Sequence, residues 1–147
     1  FIGIKIYWNS CVTNTFGYRK INSVEIMQLS EEYNLKIIED NAESLGGKYK
    51  NKLLGTIGDL GILSFFANKI ITTGEGGAII TDDENIANRA RILRDHGMSK
   101  EKRYHHIDLG FNYRMTNMQA AIGLAQLEKL DENLFLRKRL LTIVESA

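Results

Sequence analysis

From about residue 22 onward, segments whose apolar residues recur every three or four positions alternate with short apolar runs of strand length. Helix and strand periodicities that take turns along a chain predict an α/β fold, with helices crossing over between the strands of a mostly parallel sheet. In 147 residues such an arrangement has room for one compact core. Apolar residues make up 44% and charged residues 25%, which is ordinary for a folded, water-soluble domain and far from the signature of disorder.

Asn22 or Ser23 is suited to cap a helix running to about Asn34, with Ile26, Leu29 and Tyr33 on one face. LKIIE (35–39) reads as a short buried strand, and Asp40 follows it directly. Residues 41–59 mix glycine with polar residues, and KYKNKLL around Asn51 predicts a small hairpin. LGILSFF (60–66) and GAIIT (77–81) are the next two strands, separated by the turn-rich TTGEGG (72–77). Thr81 and Glu84 have capping-box spacing before a helix that carries Ile86, Ala90 and Leu93 on one stripe and stops at Gly97. Residues 98–111 read as loop.

Thr116 and Gln119 repeat the capping-box spacing and open a helix over 117–130 that is apolar nearly all round. Met118, Ala121, Ile122 and Ala125 lie on one side, and Ala120, Leu124 and Leu127 on another. Such a helix is expected to be buried on two faces, one of them against a partner subunit or a part of the protein outside these residues. From Asp131 the chain is more charged and continues as helix.

The net charge of +1 leaves no clustered basic excess for nucleic acid, so no nucleic-acid partner is expected. Cys11 is the single cysteine, which rules out an intrachain disulfide or a cysteine-based zinc site and points to a reducing, cytoplasmic compartment. The apolar start FIGIKIYW is broken by Lys5 and falls short of the ~20 residues of a membrane span. Neither a membrane anchor nor a signal peptide is expected there. The chain begins with Phe and contains no proline, and the missing Met suggests a piece of a longer protein.

Few residues stand where chemistry is done. Asp40 lies at the carboxyl end of a predicted strand, where open α/β sheets bind ligands, yet a turn aspartate there is equally ordinary. Lys69 lies between an apolar strand and a glycine-rich turn. Most lysines are solvated surface groups, but a lysine amine also forms a Schiff base with an aldehyde cofactor whose pyridinium nitrogen an aspartate holds. Ser64, five residues before Lys69, is placed to donate to a phosphate, and Glu43 is one turn beyond Asp40. Neither a GxGxxG nor a GxxxxGK[ST] fingerprint is present. His105 and His106 read as solvated loop residues and His96 as a helix-end residue complementing the dipole, with no metal site implied.

The run IIEDNAESLGGKYKNKLLGTIGDLGILSFFANKIITTGEGGAIITDD (37–83), followed by RDHGM (94–98) and GFNYRMTNMQAAIGLAQLEKLD (110–131), strongly resembles the DegT/DnrJ/EryC1/StrS family of pyridoxal-phosphate-dependent nucleotide-sugar aminotransferases. The wording is nearest to its 4-amino-sugar branch, the perosamine-type enzymes, and the likeness covers roughly residues 13–140. It implies part of the large domain of a fold type I aminotransferase, acting as a homodimer whose active sites are shared between subunits. The resemblance makes Lys69 in FFANK the catalytic Schiff-base lysine, with Asp40 in EDNAE the partner of the pyridine nitrogen. It likewise sets Glu43 beside pyridoxal 5'-phosphate, Ser64 at its phosphate, and Asn112 in GFNYR at the phosphate bound by the neighbouring subunit.

The activity implied is transfer of an amino group, with glutamate as donor, to a nucleotide-linked 4-keto-6-deoxy sugar in O-antigen or surface-polysaccharide biosynthesis. By the same resemblance, residues 12–130 are the central part of the large domain, 131–147 are a helix leading toward a small domain, and 1–11 match no part of the family. Family members run to several hundred residues, so this stretch by itself is expected to be inactive. Two other readings stand beside this one: a noncatalytic fragment, and a pyridoxamine-dependent sugar dehydratase, in which histidine replaces the lysine.

Overall fold

The computed structural model describes residues 9–10 and 23–145. Asn22 as a helix cap, Cys11 and the apolar start lie outside the described residues. A four-stranded sheet runs in the order β1 (Asn9–Ser10), β2 (Ile38–Asp40), β5 (Leu60–Ser64), β6 (Gly77–Ile80). The first three strands are parallel and β6 is antiparallel to β5. Between β2 and β5 sits the small hairpin β3 (Lys48–Tyr49) and β4 (Lys52–Leu53). Its turn residues Lys50 and Asn51 take φ values of 46° and 68°, the left-handed pair that a two-residue hairpin loop requires. The helices are α1 (Ser23–Glu32), α2 (Glu84–Leu93), α3 (Asn117–Leu127) and α4 (Leu130–Glu145).

Several boundaries differ from the sequence reading, each for a local reason. The strand expected over 35–39 is displaced to 38–40, because Asp59 takes over the polar groups of Ile37. The Ile37 N–H donates to the Asp59 carboxylate at 2.8 Å, and the Ile37 carbonyl accepts from the Asp59 and Leu60 amides. Asp40 is thus the last residue of β2 rather than the one after it. The strand expected over 60–66, β5, ends at Ser64, where the backbone turns out, although Phe65 N–H still reaches Gly76 O at 2.8 Å. α1 ends at Glu32, and Asn34 adopts φ 48° while Leu35 N–H returns to Ser30 O at 2.8 Å.

At α2 the cap is Asp83, whose carboxylate accepts from Asn85 and Ile86 N–H. Thr81 does not form the expected box with Glu84. Its hydroxyl donates instead to Asp59 O at 2.6 Å and accepts from Asp83 N–H. α2 packs on β6, and the chain reverses beyond Arg94, with Gly97 N–H bonded to Ile92 O. The Thr116–Gln119 box does form in full at α3. Within the described residues α3 has no buried residue, and Met118 is 79% exposed, so neither apolar side is covered by those residues. Among the described residues no helix is long and apolar enough to cross a membrane.

One buried carboxylate organises the sheet. Glu39, 4% exposed, accepts from Gly55 N–H at 2.9 Å, Ile57 N–H at 2.6 Å and Gly58 N–H at 2.7 Å. Its partner across the ladder is Gly61, where a Cβ would collide with the Gly55 backbone. The missing side chain lets the 55–58 segment lie flat on this face of the sheet, within reach of Glu39. Gln at position 39 would set an NH2 group against backbone donors, and the cost of an unsatisfied buried donor and a lost charge-assisted bond is about 3 kcal/mol. Glu39→Gln is therefore expected to lower the unfolding free energy by that order in denaturant titration, and a change under about 0.5 kcal/mol would contradict the assignment.

Asp59 ties the starts of two strands together and also binds Lys36 Nζ at 2.7 Å. Burial pushes its carboxyl up, but the hydrogen bonds from Lys36 and Ile37 and the ammonium charge outweigh this and hold it below the ordinary 3.8. The Asp59 hydrogen bond and charge in turn hold Lys36 above the usual 10.5. A lowered carboxylate stabilises the fold above its unfolded pKa and loses that effect as pH falls through the folded value; a raised ammonium loses it only at alkaline pH. Asp59→Asn should consequently melt below the parent at neutral pH, with the gap closing on acidification through the carboxylate range. A gap undiminished at about pH 2 would sink this account.

Candidate active site

β-Strand alternation sends neighbouring side chains to opposite faces. Glu39 therefore serves the face under the 55–58 segment, while Asp40 stands on the other. Asp40 pairs with Ile62 in the β2–β5 ladder, so Ser64, two residues on, shares its face at the carboxyl ends of the parallel strands. The half-buried Asp40 carboxylate accepts from Ala42 N–H at 3.1 Å through Oδ1.

The turn beyond Asp40 is held by Asn41, which is 1% exposed. Its N–H donates to Ile62 O at 2.9 Å, its Nδ2 to Glu39 O at 3.2 Å, and its Oδ1 accepts from Ser44 Oγ at 2.8 Å. Glu43 rides on this turn with its side chain 73% exposed, and its carboxylate forms an ion pair with Lys69. The structure thus brings together two residues that are 26 positions apart.

Lys69 sits on a loop that leaves β5 after Phe65 and returns to β6 at Gly76. The neck is closed by Phe65, whose carbonyl accepts from Thr73 N–H at 2.9 Å and Thr72 Oγ1 at 3.2 Å, and whose N–H meets Gly76 O. Within the loop Lys69 N–H donates to Phe66 O at 3.0 Å, and Ile71, 2% exposed, fills its base. The Lys69 side chain is only 13% exposed, unlike the solvated surface lysine that composition favours. Ser64 Oγ accepts from Phe66 N–H at 3.3 Å, which leaves its hydroxyl hydrogen for another acceptor.

Asn112 is apart from this group. It is exposed, forms an isolated bridge with Asp95, and lines a cavity of about 1140 Å³ bounded by β6, α2 and residues 112–115. Asp40, Glu43, Ser64 and Lys69 do not line that cavity, which is an open space beside the sheet. His105 and His106 are exposed, but His106 Nδ1 also contacts His96 O at 2.8 Å. His96 adopts φ 59°, with its N–H bonded to Phe111 O. Among the described residues no cluster of three or more His, Cys, Asp or Glu could hold a metal. Glu39, Asn41 and Gln126 are residues the sequence reading passed over. A lone amide in the otherwise apolar run AAIGLAQL was the one local sign of Gln126.

A withdrawn amine is a nucleophile for an aldehyde, a carboxylate at a strand end is a partner for a cationic ring nitrogen, and a hydroxyl with a spare hydrogen suits a phosphate. The family model described as the DegT/DnrJ/EryC1/StrS aminotransferase family matches residues 13–147. This chain belongs to that family. It is 54% identical over 114 residues to the GDP-perosamine synthase of Caulobacter vibrioides, a match covering 78% of this chain and 31% of that protein. Among solved structures it resembles the E. coli GDP-4-keto-6-deoxy-D-mannose-3-dehydratase with bound hydrated PLP, at TM-score 0.73 and 33% identity, over 81% of this chain and 35% of that one. Helicobacter pylori PseC, an aminotransferase of pseudoaminic acid biosynthesis, matches at TM-score 0.71 and 32% identity, over 76% and 31% of the two chains.

The chain thus spans about a third of the length of the relatives it matches. Its fold is part of the fold type I aminotransferase domain, and the family's cofactor is pyridoxal phosphate. The donor set just described suits that cofactor: amine, carboxylate and hydroxyl all issue from the carboxyl-terminal side of β2 and β5.

Proposed function

We propose that this chain carries the reactive centre of an aminotransferase that moves an amino group from glutamate to a nucleotide-linked 4-keto-6-deoxy sugar, in the biosynthesis of a surface polysaccharide. The observation that carries the reading is Lys69: a largely buried amine on a loop hung from β5, paired with Glu43 beside the strand end that bears Asp40. Membership of the family and the perosamine synthase relatives support the substrate class. Lysine rather than histidine at position 69 favours amino transfer over the dehydratase chemistry of the E. coli relative.

Pyridoxal phosphate, when bound, supplies an aldehyde for amines and a ring that accepts the electron pair left when a Cα proton departs. Lys69 would hold the cofactor through Nζ, and the same amine would serve as the base that takes up and returns the amino donor's Cα proton. Asp40 would partner the ring nitrogen and favour its protonated form, which strengthens the ring as an electron acceptor. Ser64 donates its hydroxyl hydrogen to the phosphate, and Glu43 balances the Lys69 ammonium before the cofactor arrives.

The reading extends to assembly and place. Asn112, remote from Lys69, serves the phosphate held by the other subunit of a homodimer. The exposed Met118, Ile122, Leu124 and Leu127 on α3 support an interface or further chain covering that helix. The enzyme works in the cytoplasm, on soluble nucleotide sugars, with neither nucleic acid nor membrane as partner.

In the whole protein, borohydride reduction followed by peptide mapping should fix the cofactor on Lys69; label on Lys48, Lys50 or Lys52 instead would refute the assignment. Asp40→Asn should keep the fold and lower turnover at least a hundredfold, about 2.7 kcal/mol of barrier. Turnover within a few-fold of the parent would make Asp40 a turn residue only.

A further inference from the structure

Three residues of α3 are not exposed: Gln119, Gly123 and Gln126. They fall at i, i+4 and i+7, one face of a helix, and this face meets the loop that carries Lys69. Gln126 grips Thr72 twice, its Oε1 accepting from Thr72 N–H at 3.0 Å and its Nε2 donating to Thr72 O at 2.6 Å. Gln119 Nε2 donates to Glu75 O at 3.2 Å, two turns nearer the start of the helix. Between them Gly123 leaves space for Thr73, whose Cγ2 would lie 3.0 Å from a Cβ placed there.

The loop's neck is fastened to β5 through Phe65, as described above. On the returning limb of that neck, three residues past Lys69, the Thr72 backbone is held across to α3 by Gln126. A primary amide is the side chain that can copy the paired N–H and C=O of a strand neighbour. Glutamate would lack the donor, and asparagine is one methylene shorter. Nε2 also donates to Ile122 O at 3.0 Å within the helix, so the amide's orientation is determined at both ends.

We infer that Gln126 is a positioning residue for amino transfer: acting through the Thr72 backbone, it holds the Lys69 loop at the distance from Asp40 and Ser64 that proton movement by Nζ requires. The inference rests on Lys69 being the cofactor lysine. Small displacements of a reacting group cost rate steeply, of the order of a hundredfold per ångström. Loss of the grip therefore lowers turnover at each correctly loaded site, beyond any loss of folded protein.

The test compares the whole protein with Gln126→Met, which keeps length without the amide, and Gln126→Ala. Sites are counted by borohydride fixation of pyridoxal phosphate on Lys69, and kcat is expressed per fixed site. The expected result is a kcat per site at least tenfold lower with KM for glutamate within about twofold, tenfold being about 1.4 kcal/mol. Faster amide exchange at Thr72 and Thr73, read without cofactor, is expected alongside it. A merely structural residue would lower the melting temperature and the number of sites but leave kcat per site at the parental value; that result overturns the inference. Should Gln126→Ala fail to fold, Gln126→Met decides on the same criteria. Fixation of the cofactor on another lysine in the parent would overturn the reading of Lys69, whereas parental kcat per site with fixation on Lys69 overturns the role of Gln126 alone.

Discussion

The carboxylate of Glu39 is the contact on which the arrangement of the sheet depends. A buried charge is tolerated when several donors converge on it, and here three backbone N–H groups from one short segment do so. The segment 55–58 links the hairpin to β5, so the bonds tie β2 to the stretch that delivers its neighbour in the ladder. Gly61 completes the arrangement, because any side chain there would lift the segment away from the sheet. Fixing Glu39 on one face also fixes the azimuth of Asp40 on the other, since strand alternation leaves the two residues no independent choice.

From the strand ends hang the loops that carry the candidate site residues, and each is tied by backbone bonds rather than by a large apolar core. Among the described residues the buried hydrophobic side chains are Ile37 and Ile71, while Glu39, Asn41, Ser44 and Thr73 are buried polar groups. Directional bonds of this kind add little net stability each, about 1 kcal/mol, but they specify geometry more narrowly than apolar packing does. The turn 41–44 owes its shape to Asn41, and the loop 66–75 to a neck at which Phe65 holds Thr72 and Thr73 while Gln126 holds the Thr72 backbone. Glu43 and Lys69 meet because both supports are in place.

Much of this was legible in the sequence, and what was not follows a pattern. Signals confined to a few neighbouring residues were read correctly: the hairpin at Asn51, the helix after Thr116, and the three strands to within a few residues. Signals that depend on distant partners were not. Glu39 finds its donors 16 to 19 residues away, and nothing in IIEDN distinguishes it from a solvated glutamate. Thr81 matched a capping box locally, yet its hydroxyl is taken by Asp59 O, 22 residues away, and Asp83 caps instead. The same Asp59 displaces the start of β2. Asp40 was read as a candidate from its position, but which face of the sheet it serves comes from the ladder register.

α3 shows the inverse of the usual helix logic. Its one engaged face is polar and small, Gln119, Gly123 and Gln126, and its apolar residues point away. Apolar burial, at roughly 25 cal/mol per Å², is non-directional, so a helix held by it alone is free to rotate by a fraction of a turn at little cost. Two amides bonded to a backbone are not so tolerant: a rotation that moves Gln126 by an ångström or two breaks both bonds to Thr72. The polar face therefore sets the helix's rotation, and the outward faces inherit their direction from it. Any surface that packs on Met118, Ile122 and Leu124 meets a helix already oriented by the Lys69 loop, and in pressing on that helix it bears on the loop. Cover of the apolar faces and placement of the Lys69 loop are thus linked mechanically through the bonds of Gln126 to the Thr72 backbone.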